Sequence, residues 1–171
     1  MGDVGRAVRR DGAAPITWDE LRDLVAVLSS IGQGSLGLGR NPQVQNEFRN
    51  TMAGVRQRFK SPNDYLFNRV FDQPTQVDPD SGLLTAGPPA ATSLRLRDND
   101  FPYDVTPDIR HCVLWAGSTD ALQGAIANET SLRRHLPVAL AGADLLWFVN
   151  PPHLQSVKGI PHAHIFARLK K

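Results

Sequence analysis

The stretch LLWFVNPPHLQSVKGIPHAHIFARL, residues 145–169, decides how the C-terminal half folds. Its first part, 145–149, is a short apolar run with the aromatic enrichment of a buried strand. Its last part, 160–169, alternates in the way that a strand does. A proline-rich turn and a small polar loop separate the two parts. We therefore predict a hairpin that carries polar residues at its open end.

Two histidines, His162 and His164, stand at alternate positions of the second strand. Alternate strand residues point to the same side, so both imidazoles project together from Cα atoms about 6–7 Å apart. Three interpretations are open. The pair could ligate a metal ion with a further His, Asp or Glu. It could combine a nucleophilic histidine with a second imidazole that orients it or binds the same substrate. It could also be the exposed polar face of an edge strand.

The residues around the pair favour an anion pocket. Asn150 ends the first strand, and Ser156 belongs to the loop that precedes His162. In a hairpin, both side chains lie at the open end. An amide, a hydroxyl and loop N–H groups beside two imidazoles suit a negatively charged group.

A second polar segment, Asn99-Asp100-Phe101-Pro102-Tyr103, precedes another apolar run. Asn99 and Asp100 favour a turn, and Pro102 restricts the backbone. Phe101 and Tyr103 could then cover a pocket. A well-packed strand connection without function is the alternative.

His111 opens the apolar run 111–116, which we predict to be a buried strand that also carries Trp115. His111 is either a hydrogen-bonded core histidine or a third ligand beside His162 and His164. Cys112 points to the opposite face, so we expect it in the core rather than as a nucleophile.

The whole chain is predicted to have an α+β fold. Start signals at Thr17, Asn41 and Ser61 predict helices at 18–31, 42–59 and 62–71. The rest follows the order β-β-α-α-β-β, which indicates a small, mainly antiparallel sheet with helices. We expect one domain with four parts: a disordered arm at 1–15, a helical part at 16–71, a proline-rich loop at 72–92 and an α+β part at 93–171.

Composition excludes several classes of protein. The chain has 171 residues, is 41% apolar and carries a net charge of +2, too little for a typical nucleic-acid binder. One cysteine cannot form an internal disulfide. No stretch reaches the roughly 18 apolar residues of a membrane span, and the N-terminus has no apolar core of a signal peptide. We expect a cytoplasmic protein without nucleic-acid or membrane partners.

The hairpin resembles the histidine-triad superfamily of nucleotidyl hydrolases and transferases. Asn150, the Gln-Ser-Val of 155–157 and the His-Ala-His of 162–164 follow in the order of that superfamily's motif. The third alternating histidine of the motif corresponds to Phe166 here. The resemblance implies that His164 attacks phosphorus, and that Asn150 and Ser156 hold the phosphate side.

The same resemblance implies a nucleoside pocket at the preceding strand pair and a possible homodimer. Phe101, Tyr103 and Trp115 would line that pocket. Over its full length the chain also resembles an uncharacterised family, best populated in fungi and sometimes labelled N-acetylglucosamine-induced proteins. The resemblance rests on NDFPYDVTPDIRHCVLW and WFVNPPHLQSVKGIPHAHIFAR, and the second block includes Arg168.

We therefore expect a hydrolase, transferase or lyase that acts on a phosphorylated small molecule, such as a nucleotide or a nucleotide sugar. His162 and His164 would be the catalytic pair, with Asn150, Ser156 and Arg168 on the phosphate oxygens. No cofactor is named by this hypothesis. One alternative is a metal-dependent enzyme with His162, His164 and His111, or an aspartate of 98–108, as ligands. Another is a non-catalytic ligand-binding or interaction protein.

Overall fold

The computed structural model describes residues 9, 11–31, 38–151, 155 and 157–169. Helices cover both faces of a four-stranded antiparallel sheet, which confirms the predicted α+β class. In chain order the elements are α1 (Trp18–Ile31), α2 (Pro42–Arg58), α3 (Pro62–Phe71), β1 (Thr75–Val77), β2 (Leu84–Ala86), β3 (Leu94–Asp98), β4 (Ile109–Ala116), α4 (Thr119–Ile126), α5 (Glu129–Arg133), a 3-10 turn (Val138–Leu140), β5 (Asp144–Phe148) and β6 (His162–Arg168). The predicted arm at 1–15 lies largely outside the described residues.

The helices begin where the sequence predicts. The backbone N–H of Thr17 donates to the Glu20 carboxylate at 2.8 Å, and the Glu20 N–H contacts the Thr17 hydroxyl at 3.4 Å. This is the reciprocal capping box expected before α1. Asn41 and Ser61 cap α2 and α3, each followed by a proline in the first turn. Among the described residues, no helix is both long and apolar enough to cross a membrane.

The strand order of the main sheet is β3-β4-β6-β5, so the last strand of the chain is central. The predicted hairpin is present, because β5 and β6 pair antiparallel with Phe148 opposite His164. On its other side β6 pairs with β4, where Val113 faces His164 and Trp115 faces His162. The histidine strand is thus held on both edges.

The two faces of the sheet have different environments. One face packs against α4 and α5 through an apolar cluster that includes Cys112, Leu114 and Ile165. The other face carries the histidines and packs against α1 and α3 through two clusters, one around Leu21 and Phe166, the other around Val70. The N-terminal helices therefore form the roof over the histidine face.

The predicted loop at 72–92 contains secondary structure, which corrects the sequence prediction. β1 and β2 form an antiparallel hairpin within it. It is joined to the helices, since the Lys60 N–H donates to the Leu84 carbonyl and the Ala86 N–H donates to the Asp64 carboxylate. Strands of three residues are too short to show alternation in the sequence. The prolines of this segment indicate a loop, and the sequence therefore does not reveal the two strands.

Candidate functional site

His162 and His164 lie on the central strand β6 and are each only 3% exposed. The interpretation of this pair as the exposed face of an edge strand is therefore wrong. Burial of two imidazoles is costly unless their nitrogens are hydrogen-bonded. The partners of these nitrogens define the site.

A third imidazole comes from the neighbouring strand. His111 on β4 is the register partner of Phe166, and the two rings stack with centroids 4.2 Å apart. Its Nε2 lies 3.0 Å from Nδ1 of His164. The third alternate position of β6, after His162 and His164, is occupied by Phe166. The third histidine, His111, lies opposite this position on β4.

Hydrogen bonding fixes the tautomer of His111. The backbone N–H of Tyr103 donates to His111 Nδ1 at 3.0 Å. That nitrogen must accept, so His111 is uncharged and carries its proton on Nε2. The Nε2–H then donates to Nδ1 of His164, which must accept in turn.

His164 consequently carries its single proton on Nε2. The side-chain amide of Asn150 lies 2.9 Å from this nitrogen and 3.2 Å from the Tyr103 phenol oxygen. An amide presents either its oxygen or its nitrogen at such a position, and the network selects between them. The atom that faces both partners is the amide nitrogen Nδ2. The proton on His164 Nε2 needs an acceptor, so the network favours the flipped amide, whose oxygen accepts from both His164 Nε2–H and the Tyr103 hydroxyl. Both nitrogens of His164 are thereby engaged.

His162 is held differently. Its Nδ1 lies 2.8 Å from the Ile160 carbonyl oxygen, which can only accept, so the proton is on Nδ1. In the uncharged ring the lone pair is then on Nε2. The Trp115 ring packs against the imidazole with centroids 4.8 Å apart and restricts its orientation. His162 also forms part of a pocket wall, so its imidazole borders a cavity.

A pocket of about 100 Å³ lies between α2, α3 and the histidine face of the sheet. His162 and His164 form part of its wall, so the buried imidazoles border the cavity. Most of the surface is apolar, contributed by side chains such as Phe48, Met52 and Trp115. Pockets for drug-sized ligands have roughly 300–1,000 Å³, so this cavity takes one end of a larger molecule or a small one whole.

Three arginines that no sequence motif singles out also line the pocket: Arg40, Arg69 and Arg97. Arg40 is 5% exposed, and its guanidinium donates to the Phe101 carbonyl at 3.0 Å and to the Gln45 side chain at 3.2 Å. The guanidinium also lies 4.2 Å from the centre of the Phe48 ring. Arg40 comes directly before the N-terminus of α2, where a cation is electrostatically unfavourable. This unfavourable position is the feature of the sequence that could have pointed to a role for Arg40.

The segment 99–103 supports the histidines from one side and the pocket from the other. Asn99, Asp100 and Phe101 line the pocket, whereas Tyr103 packs behind His164 with ring centroids 5.1 Å apart. The Asn99 amide nitrogen is 3.3 Å from His111 Nε2. Since both are donors here, this is a contact rather than a hydrogen bond. Asp100 forms an ion pair with Arg69 at 3.7 Å.

Two further residues are predicted to bind phosphate. Ser156 lies outside the described residues, so its prediction is untested. Arg168 is at the far end of β6, where it pairs with Asp144 at 3.2 Å and lies 4.7 Å from the centre of the Trp18 ring. The structure thus gives Arg168 a position against α1 and β5, outside the pocket lining.

The donor set does not fit the metal-dependent alternative. Nε2 of His111 and Nδ1 of His164 face each other at 3.0 Å, so the two nitrogens do not converge on a common point. Across the described part of the chain, no group of three or more His, Cys, Asp or Glu side chains is placed to hold a metal ion.

Cys112 lies on the opposite face, as predicted from strand alternation. It is 2% exposed, and burial, together with the neighbouring Asp98 carboxylate, raises the pKa of its thiol to about 12. The thiolate is the nucleophilic form of cysteine. Cys112 is therefore a core residue.

Comparisons with known proteins place the chain in a wider group. A family model described as "Protein of unknown function (DUF3605)" matches residues 17–168. The Saccharomyces cerevisiae protein "Uncharacterized protein YPL067C" is 34% identical over 90 aligned residues, covering 44% of this chain and 44% of that protein. The match thus spans less than half of the length of this curated relative.

One solved structure, described as "Crystal Structure of HTC1", superposes with a TM-score of 0.58. The superposition covers 91% of this chain and 86% of that chain, at 22% sequence identity. At this identity the similarity establishes a shared fold and no shared activity.

Proposed function

Because this chain belongs to the family of proteins of unknown function DUF3605, whose name assigns no reaction, we propose a function from the geometry of the site. The protein is an enzyme that acts on a phosphorylated small molecule, such as a nucleotide or a nucleotide sugar. His162 is the reacting residue, while His111, His164 and Asn150 position it and the substrate.

The tautomer pattern carries this assignment. A proton added to Nδ1 of His164 would point at the Nε2–H of His111, so His164 cannot become charged without breaking the network. A proton or a phosphoryl group added to Nε2 of His162 leaves the bond to the Ile160 carbonyl intact. The reacting role therefore falls to His162, and not to His164 as the superfamily resemblance implies.

The chemistry requires a lone pair aimed at an anionic group. In the proposed step, Nε2 of His162 attacks a phosphorus atom and forms an N–P bond. The P–O bond of a phosphoanhydride breaks, and its oxygen departs with the electron pair as a phosphate that needs no proton. Water then attacks phosphorus, the N–P bond breaks, Nε2 recovers its electron pair and the proton of the water passes to solvent.

The pocket lining supports a substrate with an anionic and an apolar part. Arg40 places a buried guanidinium at the pocket, and guanidinium groups bind phosphate oxygens strongly. Phe48 and Phe101 lie beside Arg40, with their rings edge to face and centroids 5.3 Å apart, and they add apolar surface to the pocket lining. Aromatic side chains pack favourably against planar ring systems.

The sequence resemblance supports the same class of reaction. The order of Asn150, His162 and His164 along the chain matches the histidine-triad motif, and the structure places Asn150 against His164. The label of N-acetylglucosamine-induced proteins, which the longer resemblance suggests, stays a prediction about expression.

The decisive experiment is turnover by the purified protein on a panel of nucleoside polyphosphates, dinucleotides and nucleotide sugars. We expect His162→Asn to lower kcat by about 10²- to 10⁴-fold. The asparagine amide can still donate to the Ile160 carbonyl but has no nitrogen at the position of Nε2. His135→Asn, which changes a histidine outside the pocket, is the matched control.

Full turnover by His162→Asn would refute the assignment of the reacting residue. Binding of a nucleotide without any turnover by the wild-type protein would refute the enzymatic proposal and favour the non-catalytic alternative.

A further inference from the structure

The lining of the histidine pocket includes two arginines that have no part in the reaction proposed above, Arg69 and Arg97. Arg69 belongs to the last turn of α3, and Arg97 belongs to β3. Asp100, in the loop that follows β3, lies beside Arg69. The position and the hydrogen bonding of the two guanidiniums indicate what they bind.

The strand register places Arg97 across the pocket from the histidines. Arg97 pairs with Val113, and Val113 pairs with His164, so the three side chains stand in one row on the same face of the sheet. Neighbouring strands are about 4.8 Å apart, which separates the Cα atoms of Arg97 and His164 by about 10 Å. A ligand that contacts both must bridge the strand that carries Val113, which suits a diphosphate group better than a single phosphate.

Both guanidiniums keep donors for a ligand. Arg97 donates through Nη1 to the Arg69 carbonyl at 2.6 Å. Nη2 of Arg69 lies 3.7 Å from Oδ2 of Asp100, which makes an ion pair but is too long for a hydrogen bond. A guanidinium has five N–H donors in a fixed fork. Contacts with the described residues therefore leave most donors of both side chains unused.

Positive charge exceeds negative charge at this side of the pocket. Asp98 also belongs to the lining, but its carboxylate lies on the opposite face of the sheet, where Arg110 binds both of its oxygens. Asp100 is the remaining acidic side chain among the described lining residues, against the guanidiniums of Arg69 and Arg97. A hydrogen bond to a carbonyl leaves the charge of Arg97 in place, so this side of the pocket attracts an anion.

We propose that Arg69 and Arg97 form a subsite for the leaving phosphate of the substrate, an inference that rests on the function proposed above. As the N–P bond to His162 forms, the anhydride P–O bond breaks and its oxygen keeps the electron pair. The leaving phosphate thereby gains one negative charge, which guanidinium groups stabilise as it develops. The subsite selects substrates whose reacting phosphate carries a second phosphate in anhydride linkage, such as nucleoside diphosphates.

A purely structural role of Arg69 makes a different prediction. Its ion pair joins α3 to the loop after β3, but both side chains are about half exposed, so the pair contributes little stability. If Arg69 served only this pair, loss of Arg69 and loss of Asp100 would have the same effect. In the subsite, Asp100 competes with the anion for Arg69, so the two losses should have opposite effects on anion binding.

The test measures binding of inorganic pyrophosphate and inorganic phosphate by isothermal titration calorimetry, which needs no turnover. We expect pyrophosphate to bind more tightly, because it reaches from the histidines to the arginines. Arg69→Gln and Arg97→Gln should each weaken pyrophosphate binding by about tenfold or more, since hydrogen bonds to a charged group are lost. Asp100→Asn should strengthen it by about two- to fivefold.

The matched control is Arg56→Gln, which removes an exposed charge on α2 outside the pocket lining and should leave binding unchanged. Circular dichroism verifies that each variant is folded. The subsite is overturned if pyrophosphate does not bind, if phosphate binds equally well, or if Arg69→Gln and Asp100→Asn change binding in the same direction.

Turnover separates this inference from the proposed function. Pyrophosphate binding that depends on Arg69, without turnover of any nucleotide, would support the subsite and refute the reaction. Turnover of a nucleoside diphosphate with the same kcat and KM in Arg69→Gln as in the wild type would support the reaction and overturn the subsite.

Discussion

Tyr103 acts on two histidines through two different atoms. Its backbone N–H fixes the tautomer of His111, and its phenol oxygen lies at the Asn150 amide that faces His164. Each uncharged imidazole in this network donates through one nitrogen and accepts through the other. Fixing the proton position on His111 therefore also fixes the proton position on His164. The uncharged state of His111 and His164 is thus a consequence of one backbone amide.

This pattern predicts where three protons lie. Spectra that correlate ring ¹⁵N and ¹H nuclei should show the proton on Nε2 of His111 and His164 and on Nδ1 of His162. The Asn150→Asp variant should preserve this pattern, since a carboxylate oxygen accepts as the amide oxygen does. A proton on Nδ1 of His111 would contradict the network.

The buried thiol gives a second prediction at the scale of one residue. With its pKa raised to about 12, Cys112 stays protonated at pH 7 to 9 and inaccessible. Iodoacetamide should therefore leave the folded protein unmodified, as read by mass spectrometry, and should modify it fully in denaturant. Rapid modification of the folded protein would show that the face opposite the histidines is open.

Among the elements, β6 could be predicted in some detail and its neighbours only in part. Alternation and the His-Ala-His spacing predict β6, and the position of Asn150 at the end of the preceding strand predicts that it lies near the histidines. The contact between His111 and His164 was not predictable, because it depends on β4 lying beside β6 in the sheet. Arg40 was missed because its approach to the pocket depends on how α2 packs.

The pair Asp98 and Arg110, which joins β3 to β4, predicts a pH dependence. Hydrogen bonds from Arg110 lower the pKa of the Asp98 carboxyl below its usual value of 3.8. A carboxyl with a lowered pKa stabilises the fold above the unfolded-state pKa, and this contribution is lost as pH falls through the folded-state value.

Asp98→Asn should therefore lower Tm slightly at pH 7, by the equivalent of less than about 1 kcal/mol because the pair is exposed. The difference from the wild type should shrink at pH 3 and below, as measured by thermal melts at both pH values. A difference that grows towards low pH would contradict the assignment.

At the scale of the whole molecule, the helical roof and the sheet share one core on the histidine face. Leu21 of α1 is fully buried in the cluster that contains Phe166 of β6. The site therefore depends on the N-terminal helices, although most of its polar side chains come from the second half of the chain.

Leu21→Ala should destabilise the protein by about 2–5 kcal/mol, as for other buried leucines. Far-UV and near-UV circular dichroism should report the same midpoint in denaturant, since roof and sheet unfold together. Leu169→Ala, at a position that is 60% exposed, is the control and should leave the midpoint nearly unchanged. Separate transitions for the two signals would show that the roof folds independently of the sheet.

The central claim is that His162 is the reacting histidine, and a covalent intermediate tests it most directly. The protein is mixed briefly with the nucleotide that it turns over, quenched in base to preserve phosphohistidine, digested and analysed by mass spectrometry. The account predicts a phosphoryl or nucleotidyl group on His162 that is absent from His162→Asn. The same group on His164 would contradict it.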